Sequence, residues 1–171
     1  DIGEDMFINL KHAKEQLTEK TKAIVLVHTL GLIPDMANYE SFAKTNKLKL
    51  IVDAATTLGL NYPDGRPVGS VGDAEVFSLH ATKVFGIGEG GLISSKSPKV
   101  LEDCKKIINF GMEEGVCILP GLNGKLSELG GAMGLAVLKT LNKRLITRRK
   151  IFTAYQESFK DLEGVRLIPT E

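Results

Sequence analysis

The chain has no tryptophan, and only three histidines and two cysteines among its 171 residues. Cys104 and Cys117 stand too far apart for a C-x-x-C motif, and no histidine lies near either. They read as buried free thiols of a reducing, cytoplasmic setting rather than as a disulfide or a metal site. An excess of charge of one sign is missing too. The 22 basic and 21 acidic residues leave a net charge of +1, which gives no field to draw nucleic acid or an anionic membrane. No apolar run approaches the roughly 20 residues that a membrane-spanning helix needs. No signal peptide, internal repeat or low-complexity tract stands out. There is no initiator methionine, and the chain stops in mid-pattern at VRLIPTE, so a piece of a longer polypeptide is expected. What is present is globular in character, 43% hydrophobic and 25% charged.

Periodicity supplies the elements. Asn9 is placed to cap a short helix through residue 17, with Leu10, Ala13 and Leu17 on one face. The run AIVLVH at 23–28 predicts a strand, and its unbroken apolar character predicts that both faces of the sheet are covered. Residues 35–46 predict a helix with Met36, Tyr39 and Ala43 inward, followed by a second strand at 48–52 that ends at Asp53. Strand, helix and strand in alternation argue for a doubly wound, mostly parallel α/β sheet with α/β/α layers. A Gly- and Pro-rich polar stretch at 61–73 carries a turn signal at Pro63-Asp64-Gly65. Further strands are expected at 75–79 and 91–95, and Ser97-Pro98 opens a helix to about residue 110. A looser segment, 111–124, precedes one long helical pattern at 126–162 that includes Leu126, Leu129, Met133, Val137, Leu141, Leu145 and Phe152. A last strand is expected from Val165.

The chemistry concentrates in EVFSLHATKVFGIGEGGLIS, residues 75–94. Ligands of parallel sheets gather at the carboxyl ends of strands, where Asp53, Ser78, His80 and Lys83 all fall. Asp53 has a structural reading as well, as the cap of the Ala54-Ala55 turn. Lys83 lies between an apolar strand and a glycine tract, where an amine can be desolvated into the neutral form that attacks an aldehyde. Gly86, Gly88 and Gly91 spell G-x-G-x-x-G, but strand-like Leu-Ile-Ser-Ser follows instead of a helix, which argues against a dinucleotide site. His28 and His80 are read either as pocket wall or as hydrogen-bonded structural histidines. Lys143, Arg144, Arg148, Arg149 and Lys150 form a basic helix face, read as solvated or intersubunit rather than nucleic-acid binding.

Four stretches in register carry a resemblance: TKAIVLVHTLG, IVDAATTLG, RPVGSVGDAEVFSLHATKVFGIGEGGLIS and GLNGKLSELGGAMGLAVLKTL. With them the chain resembles the DegT/DnrJ/EryC1/StrS sugar aminotransferases, pyridoxal 5'-phosphate enzymes of fold type I. The resemblance implies transamination of a nucleotide-linked keto-sugar by an amino-acid donor, L-glutamate being expected. It implies that Lys83 forms the Schiff base with the cofactor and moves protons, that Asp53 pairs with the pyridine nitrogen, and that Ser78 donates to the phosphate. Thr56 takes the place near the phenolic oxygen where the family has Gln or His. Asn123 matches an asparagine that reaches the phosphate in the neighbouring subunit, which implies a homodimer with shared sites. Val84, Lys125 and Gly130-Gly131-Ala132 depart from the family pattern, and lysine cannot reproduce a bidentate guanidinium contact. By the same resemblance, residues 1–163 belong to the cofactor-binding large domain and 164–171 begin a mostly absent small domain. Two other readings stand beside this one: sugar dehydration, in which the family replaces the lysine by histidine, and a non-enzymatic scaffold or dimerisation fragment.

Overall fold

In the computed structural model, which describes residues 1–168, helix starts follow their capping side chains. The Asn9 side chain accepts from the His12 N–H and opens α1 (Leu10–Glu15). Asp35 accepts from the Ala37 N–H and opens α2 (Met36–Thr45), whose Met36, Tyr39 and Ala43 are buried as expected. Ser97 accepts from the Val100 N–H and opens α3 (Pro98–Ile108), with Pro98 at a position where its missing N–H costs nothing.

Strands β1 (Ala23–Val27), β2 (Lys49–Asp53) and β3 (Ala74–Ser78) pair in parallel, and β4 (Gly91–Ser94) closes the sheet as an antiparallel edge in the order β1-β2-β3-β4. Side chains alternate between two faces. Ile24 and Leu26, Leu50 and Val52, and Phe77 point into one core with Met36, Tyr39 and Ala43. On the opposite face Val25 is 55% exposed, Val27 46% and Val76 40%. The expectation that both faces are covered is therefore corrected: among the described residues, helices cover one face and leave the other open. Burying each fully enclosed aliphatic side chain contributes about 1.5–3 kcal/mol, so the closed face supplies the stability.

The second part of the chain departs further from expectation. The predicted long helix is two, α4 (Glu128–Leu138) and α5 (Leu141–Phe159). The Thr140 N–H and hydroxyl both donate to the Val137 carbonyl, at 2.9 and 3.0 Å, which tightens the last turn and ends α4. Residues 111–124 are not merely loose. They contain a hairpin of β5 (Met112–Glu113) and β6 (Val116–Cys117), turned by Glu114 and Gly115 at φ 47° and 83°. Residues 164–168 form no strand, and the remainder of the predicted second-domain start lies outside the described residues. Both thiols are free, but Cys117 is exposed on the hairpin and Cys104 half-buried, so the expectation of two buried thiols is corrected. No helix among the described residues is long and apolar enough to cross a membrane.

Candidate active site

The carboxyl ends of β2 and β3 bring Asp53 and Ser78 to one sheet face. Asp53 pairs in register with Val27 and Val76, so it lies on the open face with them. Ser78 is two residues beyond Val76 on the same face, opposite Gly91. Strand spacing of ~4.8 Å and a rise of ~3.3 Å per residue put Asp53 and Ser78 about 8 Å apart. Both are half-buried. The Asp53 carboxylate accepts from the Ala55 N–H at 3.1 Å, the turn cap that the sequence allowed. It makes no ion pair and no second side-chain hydrogen bond among the described residues. The Ser78 hydroxyl accepts from the His80 N–H at 3.2 Å, leaving its own proton free to donate.

Beyond Ser78 the chain loops out and returns into β4. Leu79 N–H donates to Gly90 O at 2.9 Å, Ala81 N–H to Gly88 O at 2.8 Å, and Ile87 N–H to Leu79 O at 2.9 Å. This folded-back path needs glycine at two points. A Cβ on Gly86 would sit 2.6 Å from the Ala81 carbonyl oxygen, and Gly88 has φ +97°. Gly91 then begins a strand, not a helix, so the dinucleotide fingerprint is absent. Lys83 lies within the loop, half-buried, its N–H donating to His80 O at 2.9 Å. Its side chain makes no ion pair among the described residues. His80 braces the loop, its Nδ1 2.9 Å from the Thr82 hydroxyl and its Nε2 3.6 Å from Glu89. Lys83 and Val84 border a cleft of about 490 Å³ whose far wall is Thr140, Lys143, Arg144 and Arg148. A larger groove of about 880 Å³, along Phe7, Asp35, Tyr39 and Phe42, has none of the strand-end residues in its lining.

Two expected residues are placed differently. His28 is 2% exposed, on the core face with Ile24 and Leu26, so it lies behind the strand ends and does not form their wall. Burial lowers its pKa to about 4, against an opposing pull from the Asp53 charge. Asn123 is exposed and belongs to another unit. It bridges to Asn109, and its Oδ1 accepts from Lys125 at 2.8 Å, with Lys125 over the Phe110 ring. It has no hydrogen bond to β2, β3 or Lys83. Thr56 is exposed, and its hydroxyl donates to the His28 carbonyl at 3.0 Å.

The structure adds residues that the sequence reading passed over. Glu75 is fully buried on the core face, accepting from the Tyr62 hydroxyl at 2.7 Å and the Val71 N–H at 2.6 Å. Burial and this carboxylate push the Tyr62 hydroxyl's pKa upward. Tyr62 meets the His28 ring edge-on, centroids 5.6 Å apart, and His28 Nδ1 lies 2.7 Å from the buried Thr57 hydroxyl. The signal was strand parity: residues 24, 26 and 28, like 75, 77 and 79, share the buried face.

Comparison with known protein families matches residues 1–171 to the DegT/DnrJ/EryC1/StrS aminotransferase family. The dTDP-4-amino-4,6-dideoxy-D-glucose transaminase of Shigella dysenteriae is 35% identical over 159 residues, covering 92% of this chain and 43% of that protein. The GDP-perosamine synthase of Vibrio cholerae is 29% identical over 163 residues, covering 94% of this chain and 44% of that protein. Among solved structures, DesI, crystallised in the presence of its TDP-sugar product, superposes with a TM-score of 0.87 at 36% identity. It covers 97% of this chain and 43% of DesI. The chain thus spans less than half the length of the relatives it matches, and it carries part of the large domain of fold type I.

Proposed function

Since the chain belongs to the DegT/DnrJ/EryC1/StrS aminotransferase family, we propose that it forms the lysine-bearing part of a pyridoxal-phosphate aminotransferase. Its substrate would be a nucleotide-linked keto-sugar and its donor an amino acid, L-glutamate first. The observation that carries this reading is the shared strand edge, with Asp53 and Ser78 on one sheet face and Lys83 on the loop that leaves it.

The donor set fits the cofactor. A carboxylate without a cation and a hydroxyl with a free proton stand on one sheet face, and an amine without a carboxylate lies on the loop that leaves it. When bound, pyridoxal phosphate supplies an electron sink that lets a proton leave the carbon bearing an amine. Asp53 would hold the proton on the ring nitrogen, since a nearby carboxylate favours the cationic partner. Ser78 would donate to the phosphate. Lys83 would hold the cofactor's aldehyde carbon through its amine and, once released, take and return a proton at the donor's α-carbon. The hydroxyl of Thr56 is engaged with the His28 carbonyl, so its contact to the phenolic oxygen would be lost or made through water. Asn123, whose hydrogen bonds within the chain go to Asn109 and Lys125, would serve the neighbouring subunit's phosphate in a two-fold dimer with reciprocal sites. A lysine at position 83 weighs against the sugar-dehydrating branch, and a scaffold role would leave the Asp53 carboxylate only its turn cap on Ala55.

Borohydride reduction of the full-length protein with pyridoxal phosphate tests the assignment. Peptide mapping is expected to find the cofactor on Lys83 alone. Label on Lys22 or Lys125, or none at all, would overturn it.

A further inference from the structure

We propose that His28 is a positioning residue that clamps the turn carrying Asp53 and Thr56 from behind the sheet, through bonds to residues 53, 56 and 57. This rests on the functional reading above.

His28 grips the turn with every polar group but one. Its N–H donates to the Asp53 carbonyl at 2.9 Å. Its carbonyl accepts the Thr56 hydroxyl at 3.0 Å. Its ring Nδ1 lies 2.7 Å from the Thr57 hydroxyl. With that hydroxyl donating to the Ala54 carbonyl at 3.3 Å, its oxygen accepts from Nδ1–H, an arrangement that assigns the ring the Nδ1-protonated tautomer. The remaining nitrogen, Nε2, is then a buried lone pair with no hydrogen-bond partner. A leucine would fill such a core position without that penalty, so packing alone gives no reason for an imidazole here. The contact to Thr57 does.

The clamp is anchored on its far side. The His28 ring meets Tyr62 edge-on, and the Tyr62 hydroxyl donates at 2.7 Å to Glu75, which also accepts from the Val71 N–H. The chain Thr57, His28, Tyr62 and Glu75 therefore ties the Asp53 turn to β3, the strand that carries Ser78. Burial keeps the imidazole neutral at ordinary pH, so it fixes the turn without competing as a cation for the Asp53 carboxylate. Such a device would fix the position of the carboxylate that is to meet the cofactor's ring nitrogen while leaving its charge free.

The test uses His28→Leu, His28→Asn and Thr57→Val in the full-length protein, with Asp53→Asn for reference. It reads the pH titration of the bound cofactor's visible absorbance, kcat and KM separately, and thermal melting. His28→Leu is expected to shift the absorbance titration in the same direction as Asp53→Asn and to lower kcat by about 10- to 100-fold, with donor KM changed far less. His28→Asn, whose amide can donate to Thr57 in place of Nδ1, should recover part of both. Should His28→Leu fail to fold, Thr57→Val, which removes only the hydroxyl, decides by the same two readouts. A variant that melts lower yet titrates and turns over like the parent would overturn the proposal. An Asp53→Asn protein indistinguishable from the parent would overturn the Asp53 assignment itself, and the clamp with it.

Discussion

The two faces of the β1–β3 sheet are built by alternate residues of the same strands, yet their polar groups are treated in opposite ways. On the closed face Glu75, Thr57 and His28 are no more than 2% exposed, and their polar atoms are tied to one another and to the backbone, except Nε2 of His28. On the open face Asp53 and Ser78 each keep an unused bond, the free carboxylate oxygen and the hydroxyl proton. A buried polar group must find partners or cost roughly 1–3 kcal/mol, so the closed face uses its polar groups up. A half-buried group at a strand end is excused from that demand and stays available for chemistry. The difference predicts which carboxylate is catalytic in the proposed reaction and which is structural.

The sharpest way to break this comparison is Lys83→Ala, which removes the amine served by the open face. Transamination by the full-length protein should fall by about four orders of magnitude, the upper range for losing a proton-transfer group. Mixing that variant with Asn123→Asp should restore activity if sites are shared between subunits, because one site of each mixed dimer carries neither change. Mixtures that stay dead after verified exchange would count against shared sites.

Next in size are the two carboxylates. Asp53→Asn should lower turnover about 10²- to 10³-fold, as expected for a lost preorganised electrostatic partner, with little change in melting. Glu75→Gln should do the reverse, costing about 1–3 kcal/mol of stability in urea unfolding while turnover stays within about tenfold. Equal losses of turnover in both would erase the distinction between the faces. Leu26, fully buried at the centre of the closed face, should lose about 2–5 kcal/mol of stability when cut to Ala.

The smallest effect is one of pH. Burial holds the folded-state pKa of His28 at about 4, below the ordinary imidazole value of 6.5. Between those values the unfolded chain binds a proton that the folded chain refuses, so stability falls as pH drops from about 6.5 to about 4. At ~1.4 kcal/mol per unit the loss from this group is at most about 3–4 kcal/mol. Urea unfolding at pH 7 and pH 5 should show it, and His28→Asn should remove most of the difference. A slope unchanged in that variant would mean that other groups carry it.

The elements up to α3 were legible because their causes are local. A capping side chain at 9, 35 or 97 reaches its backbone partner within a single turn, and the apolar runs of β1 and β2 name themselves. The Asp53 and Ser78 positions were legible for the same reason, being strand ends, and Lys83 follows on the loop that leaves β3. Where partners lie far apart in sequence, the reading failed. A glutamate in a strand reads as solvent-facing, and only the Tyr62 hydroxyl and the Val71 N–H, brought over by the 61–73 segment, make Glu75 tolerable inside. The break at Thr140 escaped notice because no Gly or Pro marks it, only a threonine bonding back to Val137.

By itself, then, the sequence determined the strands β1 to β4, the starts of α1 to α3 and the residue types at the site, since period and capping act over a few residues. The tertiary structure alone decided which sheet face is closed, that His28 stands behind Asp53 rather than beside it, and that Asn123 bonds elsewhere. Those outcomes depend on what packs against each face, and packing partners come from distant parts of the chain.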